Sequence, residues 1–219
     1  MLPPTQRALW PRLDQIPEDF VLYGGTAVAL RLGHRSSVDF DLFSERAFAT
    51  PDLVRRISLL RLPGGKVQQN VQNTFSIGLP LPEGPVNLSF LGSIDFGQIR
   101  APDRCSDNGL KIASGEDLLA LKLATIHSRI EAKDYIDIWA LLKSGHSLPV
   151  ALGHLEALHP RTTNWMITLQ TLVYFKGGDL DALSPEIKRD LEAAVREVRE
   201  VPTFTGRKTP IGWLPTAES

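Results

Sequence analysis

The chain has 219 residues, a length that suits one large domain or two small ones. Its 24 Lys and Arg residues balance 25 Asp and Glu residues, which excludes nucleic-acid binding through bulk positive charge but leaves room for a local basic groove. A hydrophobic content of 42% and a charged content of 22% exclude a disordered or collagen-like chain. The single cysteine, Cys105, excludes an internal disulfide framework and a cysteine-based zinc site.

The expected compartment follows from what the sequence lacks. One cysteine fits a reducing environment. The apolar runs are shorter than the roughly 18 residues that span a bilayer, and the first residues contain no apolar signal-peptide segment. The sequence therefore predicts a soluble, cytoplasmic protein with no membrane partner.

The first half of the chain is predicted to alternate helices and strands. Residue spacing predicts a helix over 4–16, a buried strand over 20–23, a helix over 26–32 that ends at Gly33, and a second strand over 38–43. A further helix is expected from Thr50, its predicted N-cap, to about residue 60. Strands are then expected over 67–71, 74–79 and 86–91, followed by an irregular stretch over 99–111, for which one more short strand is the alternative.

The second half is predicted to be helical. A capping signature at 114–117 begins a series of helices over 115–131, 133–143, 148–158, 163–176 and 184–201. The fold class is therefore α/β in the α+β sense, with a small mixed sheet and an all-helical C-terminal half. The predicted organisation is an α/β core over 1–112, a helical half over 113–201, and an extended or disordered tail over 202–219.

The segment 23–43, YGGTAVALRLGHRSSVDFDLF, contains the first candidate binding feature. Gly24 and Gly25 stand where a strand turns into a helix, so phosphate can approach the backbone N–H groups of the helix N-terminus, and Thr26 adds a hydroxyl donor. Arg35 and Ser36, in the loop that follows, are placed to meet phosphate. A simple turn at the glycine pair is the structural alternative.

The same segment contains two carboxylates. Asp39 and Asp41 are two residues apart in a strand and therefore point to one face. Two like charges side by side favour a cationic partner, and Mg²⁺ or Mn²⁺ combined with nucleotide phosphates is the natural one. The pair is predicted to hold a metal for phosphoryl or nucleotidyl transfer. A solvated strand edge is the alternative.

The segment resembles the signature of the AbiEii/AbiGii toxin family of nucleotidyltransferases, within the DNA polymerase β-like superfamily. Further similarity lies at 117–122 (DLLALK), 133–138 (KDYIDI) and 172–175 (LVYF). The resemblance implies a minimal nucleotidyltransferase fold with a helical C-terminal half. It implies transfer of a nucleotide from a nucleoside triphosphate to an acceptor, RNA in relatives, and a toxin role beside a cognate antitoxin.

Two residues of the helical half complete the predicted site. Lys122 lies in an apolar stripe and needs an anionic partner, which nucleotide phosphate or the Asp39 and Asp41 pair would supply; a snorkelling side chain is the alternative. The resemblance favours Asp134 as a site residue and Asp137 as its neighbour. Structural ion pairs of both acids with Arg129 and Lys133 are the alternative.

One departure from the superfamily pattern is visible. The predicted strand 86–90 carries no acid where many relatives place a third carboxylate, and Asp95 lies past its end. Asp134 is the predicted substitute. The competing functions are an inactive nucleotide- or protein-binding module of the same fold and a small-molecule nucleotidyltransferase of the antibiotic-modifying type.

Overall fold

The computed structural model describes residues 3–160 and 163–215 and divides into two compact units. The first unit contains the residues up to Ser114 and those from Thr209 onward. The second unit is Gly115–Lys208. No helix in the described ranges is long and apolar enough to cross a membrane.

The first unit alternates short helices and strands. Its elements in chain order are α1 Pro4–Leu9, β1 Val21–Tyr23, α2 Gly24–Leu32, β2 Asp39–Phe43, α3 Thr50–Arg56, β3 Lys66–Val71, β4 Thr74–Leu81, β5 Gly84–Leu91, β6 Asp103–Arg104 and β7 Lys111–Ile112. Short 3₁₀ helices, Trp10–Gln15 and Ser58–Arg61, follow α1 and α3.

The strands form one mixed sheet in the order β3-β4-β5-β2-β1-β7-β6. β2 pairs in parallel with β5 and antiparallel with β1, while β1 pairs in parallel with β7. This is the mixed α/β architecture that the sequence predicts. Because β2 lies between β1 and β5, its side chains have neighbours on both flanks.

The two faces of the sheet differ sharply at β2. Phe40 and Leu42 are fully buried on one face, beside Leu88 and Phe90 of β5. Asp39 and Asp41 alternate with them on the other face and are partly exposed. The alternation follows from the period of two in a strand, so burial of the apolar face fixes where the carboxylates point.

The second unit is helical. Its helices in chain order are α4 Gly115–Thr125, α5 Ala132–Lys143, α6 Leu148–Leu158, α7 Trp165–Leu172 and α8 Pro185–Glu197. Ser184 caps α8 by accepting the N–H of Ile187, and Asn164 caps α7. α4 ends six residues earlier than predicted, because a turn over 126–128 and a short connection lead into α5.

Three local predictions are wrong. α2 begins at Gly24 rather than at Thr26, so both glycines belong to its first turn. Ala49, not Thr50, is the N-cap of α3, and the Thr50 hydroxyl instead donates to Asn70 Oδ1 at 2.8 Å. Val38 lies outside β2 and is 54% exposed, because the strand begins one residue later.

The segment predicted as a tail from residue 202 is mostly exposed, but it makes specific contacts at two places. In the second unit, Phe204 meets the His154 ring edge-on at 5.4 Å. In the first unit, Thr209 pairs with Gln98, and the Gln98 side chain accepts from Gly212 N and donates to Trp213 O, both at 2.8 Å. Residues 216–219 of the predicted tail lie outside the described residues.

Candidate functional site

β2 presents two carboxylates on one face of the first unit's sheet. In the parallel pairing with β5, Asp39 stands opposite Asn87 and Asp41 opposite Ser89. In the antiparallel pairing with β1, Asp41 stands opposite Tyr23, the residue that precedes α2. The topology therefore places Asp41 beside the start of α2.

The N-terminus of α2 lies directly against the Asp41 carboxylate. Gly24 has φ +71°, and a Cβ built on it would overlap Oδ2 of Asp41. Glycine is required here for two reasons, since it adopts positive φ without strain and leaves room for the carboxylate. The N–H groups and the dipole at this helix end favour negative charge, which offsets the repulsion between the two aspartates.

We expect Gly24→Ala to destabilise the protein by about 1–2 kcal/mol from the positive φ alone and by more through displacement of Asp41. Gly109→Ala is the matched control, since Gly109 has φ +72° but its Cβ would meet its nearest neighbour at an ordinary 3.7 Å. Urea denaturation of both variants checks this. Equal losses in the two variants would contradict the close contact.

The loop between α2 and β2 brings Arg35 to the second glycine. A Cβ on Gly25 would overlap the Arg35 guanidinium and would lie 3.2 Å from Oγ of Ser37. Arg35 Nη1 also donates to the Ser36 carbonyl at 3.0 Å. The structure therefore joins Gly25 and Arg35, two of the predicted nucleotide-binding residues, in one place.

Thr26 and Ser36 are placed differently from the prediction. Thr26 is fully buried, and its hydroxyl hydrogen-bonds to the Asp39 carbonyl and to Ser37 Oγ, the latter at 2.9 Å. This hydroxyl ties the start of α2 to the start of β2. Ser36 is exposed, and Ser37 is the serine that lies at the helix N-terminus.

On β5, where many members of the superfamily have a third carboxylate, the residue opposite Asp39 is an asparagine, Asn87. Asn87 Nδ2 donates to Asp39 Oδ1 at 2.8 Å. Asp95 does not take this position: β2 and β5 run parallel, Asp39 and Asn87 lie near their starts, and Asp95 follows the last residue of β5, Leu91. Asp95 therefore lies toward the opposite end of these strands from Asp39.

The carboxylate pair fits a divalent ion that is shared with a substrate. Within residues 3–160 and 163–215, no three His, Cys, Asp or Glu side chains group closely enough to hold a metal by themselves. Mg²⁺ is commonly bound by one or two carboxylates together with substrate phosphates and water. Asp39 and Asp41, partly exposed on one face beside a helix N-terminus, match that donor set.

Lys122 and Asp134 meet each other within the second unit. Lys122 Nζ lies 2.7 Å from Asp134 Oδ1 and 2.7 Å from Asp137 Oδ2, and its side chain is 5% exposed. The snorkelling alternative is therefore wrong. Within the second unit, the anionic partners of Lys122 are the two aspartates of α5.

Arg129 completes this cluster. Its Nε donates to Asp134 Oδ2 at 2.8 Å and its Nη2 to Asp134 Oδ1 at 3.0 Å, whereas Lys133 pairs with Glu131. Burial alone would raise the pKa of Asp134, but the hydrogen bonds and charges of Arg129 and Lys122 outweigh it and lower the pKa. Both oxygens accept hydrogen bonds and the pKa is lowered, which makes this carboxylate a weak general base.

Because the pKa of Asp134 is lowered in the folded protein, the free energy of unfolding depends on pH in the acidic range. A carboxyl group with a lower pKa in the folded state stabilises the protein above its unfolded pKa, and this contribution is lost as the pH falls through the folded value. We expect the helical circular dichroism signal to melt at progressively lower temperature below about pH 4. Asp134→Asn should show a shallower acid dependence; an unchanged slope would contradict the assignment.

The sequence analysis did not identify every residue that contacts the predicted site residues. Asn87 and Ser37 have no motif of their own, and strand register and loop path bring them to Asp39 and Gly25. Asp137 was predicted as a neighbour and is a direct partner of Lys122. Its spacing of three residues from Asp134 places both on one face of α5, which was the available signal.

Comparison with known proteins identifies the family. The family model described as "Nucleotidyl transferase AbiEii toxin, Type IV TA system" matches residues 8–205. The uncharacterized protein aq_aa25 of Aquifex aeolicus (strain VF5) is 32% identical over 188 residues, covering 84% of this chain and 85% of that protein.

Two solved structures share the fold. MenT4, a nucleotidyltransferase toxin of Mycobacterium tuberculosis H37Rv, superposes with a TM-score of 0.56 at 16% identity, covering 89% of this chain and 82% of MenT4. JHP933 from Helicobacter pylori superposes with a TM-score of 0.55 at 17% identity, covering 87% of both chains. The family match spans both units. The chain is a nucleotidyltransferase and belongs to the AbiEii toxin family.

Proposed function

We propose that the protein transfers a nucleoside monophosphate from a nucleoside triphosphate to an acceptor hydroxyl, with a divalent metal held by Asp39 and Asp41. The observation that carries this proposal is the contact between Asp41 and the glycine N-terminus of α2, with the Arg35 guanidinium beside Gly25. Carboxylates, helix N–H groups and a guanidinium converge there. That combination suits a metal-bound triphosphate.

Each part of the site has one role in this proposal. The first-turn N–H groups of α2, at Gly24 and Gly25, donate to phosphate oxygens, and the missing side chains let phosphate approach. Arg35 meets the negative charge of the triphosphate with its fork of donors. Bound Mg²⁺ or Mn²⁺ would supply Lewis-acid stabilisation of the developing charge. Thr26 and Ser37 hold the loop in place.

The proposal changes the predicted roles of Lys122 and Asp134. Lys122, Arg129, Asp134 and Asp137 form a charge-balanced, largely buried set within the second unit. We propose that this set stabilises the packing of α4 on α5. The assignment rests on the 2.7 Å contacts of Lys122 and on the weak basicity of Asp134.

We further propose RNA as the acceptor and a cognate antitoxin as the protein partner. AbiEii is a toxin family of type IV toxin–antitoxin systems, and MenT4 is a toxin as well. The near-zero net charge predicts that RNA is bound through a local surface. Within the cytoplasm both triphosphate and RNA are at hand, which fits the expected location.

A labelling experiment tests the proposal. The purified chain is incubated with Mg²⁺, total RNA and each of the four triphosphates, labelled at the α- or at the γ-phosphorus. We expect α-label and not γ-label in RNA, and loss of labelling in EDTA. Label on RNA from the γ position would indicate phosphoryl transfer instead. Absence of any transfer to RNA, with transfer to a small-molecule acceptor, would contradict the RNA proposal.

We expect Gly25→Val to weaken triphosphate binding roughly tenfold to a hundredfold, since the side chain displaces the Arg35 guanidinium and its charge-assisted contact with phosphate. Calorimetry with a non-hydrolysable triphosphate measures this. Arg35→Ala should weaken binding to a similar extent with a normal circular dichroism spectrum. Unchanged binding in both variants would exclude the phosphate site.

A further inference from the structure

A chain of side-chain hydrogen bonds leads from the edge of the sheet to Asp39. Gln68 on β3 donates through Nε2 to Asn87 Oδ1 at 2.8 Å. Asn87 on β5 donates through Nδ2 to Asp39 Oδ1 at 2.8 Å. β3 is an edge strand and β2 lies three strands further in. The two hydrogen bonds together therefore reach from the edge of the sheet to its fourth strand.

Two local irregularities make this crossing possible. β4 lies between β3 and β5, and Gly78 is its residue at the crossing point: a Cβ there would lie 3.2 Å from both Gln68 Nε2 and Asn87 Oδ1. In the pairing of β3 with β4, Val67 stands opposite Ile77 and Gln69 opposite Ser76, so Gln68 is the extra residue of a β-bulge. Bulges re-aim side chains and are frequent beside active sites.

The direction of these two hydrogen bonds follows from the chemistry of Asp39, the last acceptor. An ionised carboxylate accepts hydrogen bonds and cannot donate, so Asn87 must turn its NH₂ group toward Asp39. The Asn87 oxygen then faces β3, and Gln68 must turn its own NH₂ group toward that oxygen. The amide orientations are therefore set by the charge on Asp39 rather than by a free choice of rotamer.

We propose that Asn87 and Gln68 are positioning residues that orient the Asp39 carboxylate for the metal. This inference rests on the proposed function, because it gives a purpose to the geometry of a metal-binding acid. With Oδ1 held by Asn87, rotation of the carboxylate about its last bond is restricted. Residues that hydrogen-bond to a metal-ligating side chain commonly change the affinity of the site for its metal.

The proposal also explains why β5 carries an amide opposite Asp39. An acid at residue 87 would put a third negative charge next to Asp39 and Asp41 and would accept rather than donate. Asn87 supplies a donor without charge, so the site keeps two carboxylates and one of them has a fixed orientation. Gln68 donates to the other end of the Asn87 amide and so holds it in the orientation that Asp39 requires.

The test measures Mn²⁺ binding to the full chain without nucleotide, from the loss of the free-ion signal in electron paramagnetic resonance. We expect Asn87→Ala to weaken Mn²⁺ binding roughly tenfold or more, and Gln68→Ala roughly threefold to tenfold. Gly78→Ala should weaken it as well, since it crowds both amides without touching Asp39. Melting temperatures of the Gln68 and Gly78 variants should stay close to wild type.

Gln69→Ala is the matched control, since it removes an exposed amide from the next position of the same strand. It should bind Mn²⁺ like wild type. In ¹⁵N spectra, the Asn87 side-chain amide signal should shift in Gln68→Ala and stay in place in Gln69→Ala. That readout reports the contact itself and needs neither metal nor activity.

The outcomes separate this inference from the proposed function. Wild-type Mn²⁺ affinity in Asn87→Ala, or equal effects of Gln68→Ala and Gln69→Ala, would overturn the positioning role and leave the metal site intact. Wild-type protein that binds Mn²⁺ no better than Asp39→Asn would overturn the metal assignment, and this inference with it.

Discussion

Lys122→Met is expected to destabilise the protein by about 3–5 kcal/mol, the cost of removing a buried cation from the two buried acids that it contacts. Asp134 and Asp137 are both fully buried, and Lys122 Nζ contacts each of them at 2.7 Å. Methionine fills the volume of the lysine stem, so packing is kept and the missing charge causes the loss. For a chain of this size the midpoint of thermal unfolding should fall by roughly 6–20 °C.

Lys133→Met is the matched control for this prediction. Lys133 lies one residue before Asp134, its side chain is 48% exposed, and its partner Glu131 is also at the surface. Removing an exposed ion pair costs at most about 1 kcal/mol, so this variant should melt close to wild type. Lys122→Met that melts like Lys133→Met would show that the buried acids do not depend on Lys122.

The contacts of Lys122 with Asp134 and Asp137 show what a sequence pattern predicts and what it does not. The apolar stripe on α4 correctly predicted that Lys122 is buried and that it needs an anion. It did not identify the anion, because two acids on the next helix and a pair of carboxylates far away in the sequence satisfy the same requirement. Helical spacing places Asp134 and Asp137 on one face of α5, but the face that α4 meets depends on how the two helices pack.

The first unit shows the same limit in its sheet. The alternation of acids with Phe40 and Leu42 predicted β2 and the face on which Asp39 and Asp41 lie, because burial of one face decides register. The glycine pair predicted the start of α2 within two residues. Asn87 and Gln68 were not found, since their roles depend on a parallel pairing and a bulge that local patterns do not encode.

Asp39→Asn and Asp41→Asn are expected to reduce nucleotidyl transfer by roughly a thousandfold or more. A bound metal contributes several kcal/mol of charge stabilisation, and each 1.4 kcal/mol changes the rate tenfold. Asparagine keeps an oxygen at Asp39 for the hydrogen bond from Asn87 and adds no bulk beside Gly24. Because one of two adjacent like charges is removed, the melting temperature should stay the same or rise.

Asp95→Asn is the control that separates a general loss of negative charge from the loss of a metal ligand. Asp95 is exposed and follows β5 at the end of the strands away from Asp39, so this variant should keep wild-type transfer. Initial rates of α-label incorporation at saturating Mg²⁺ and triphosphate compare the three variants. Near-wild-type rates in either β2 variant would refute the metal assignment; a large loss in Asp95→Asn would make Asp95 part of the site.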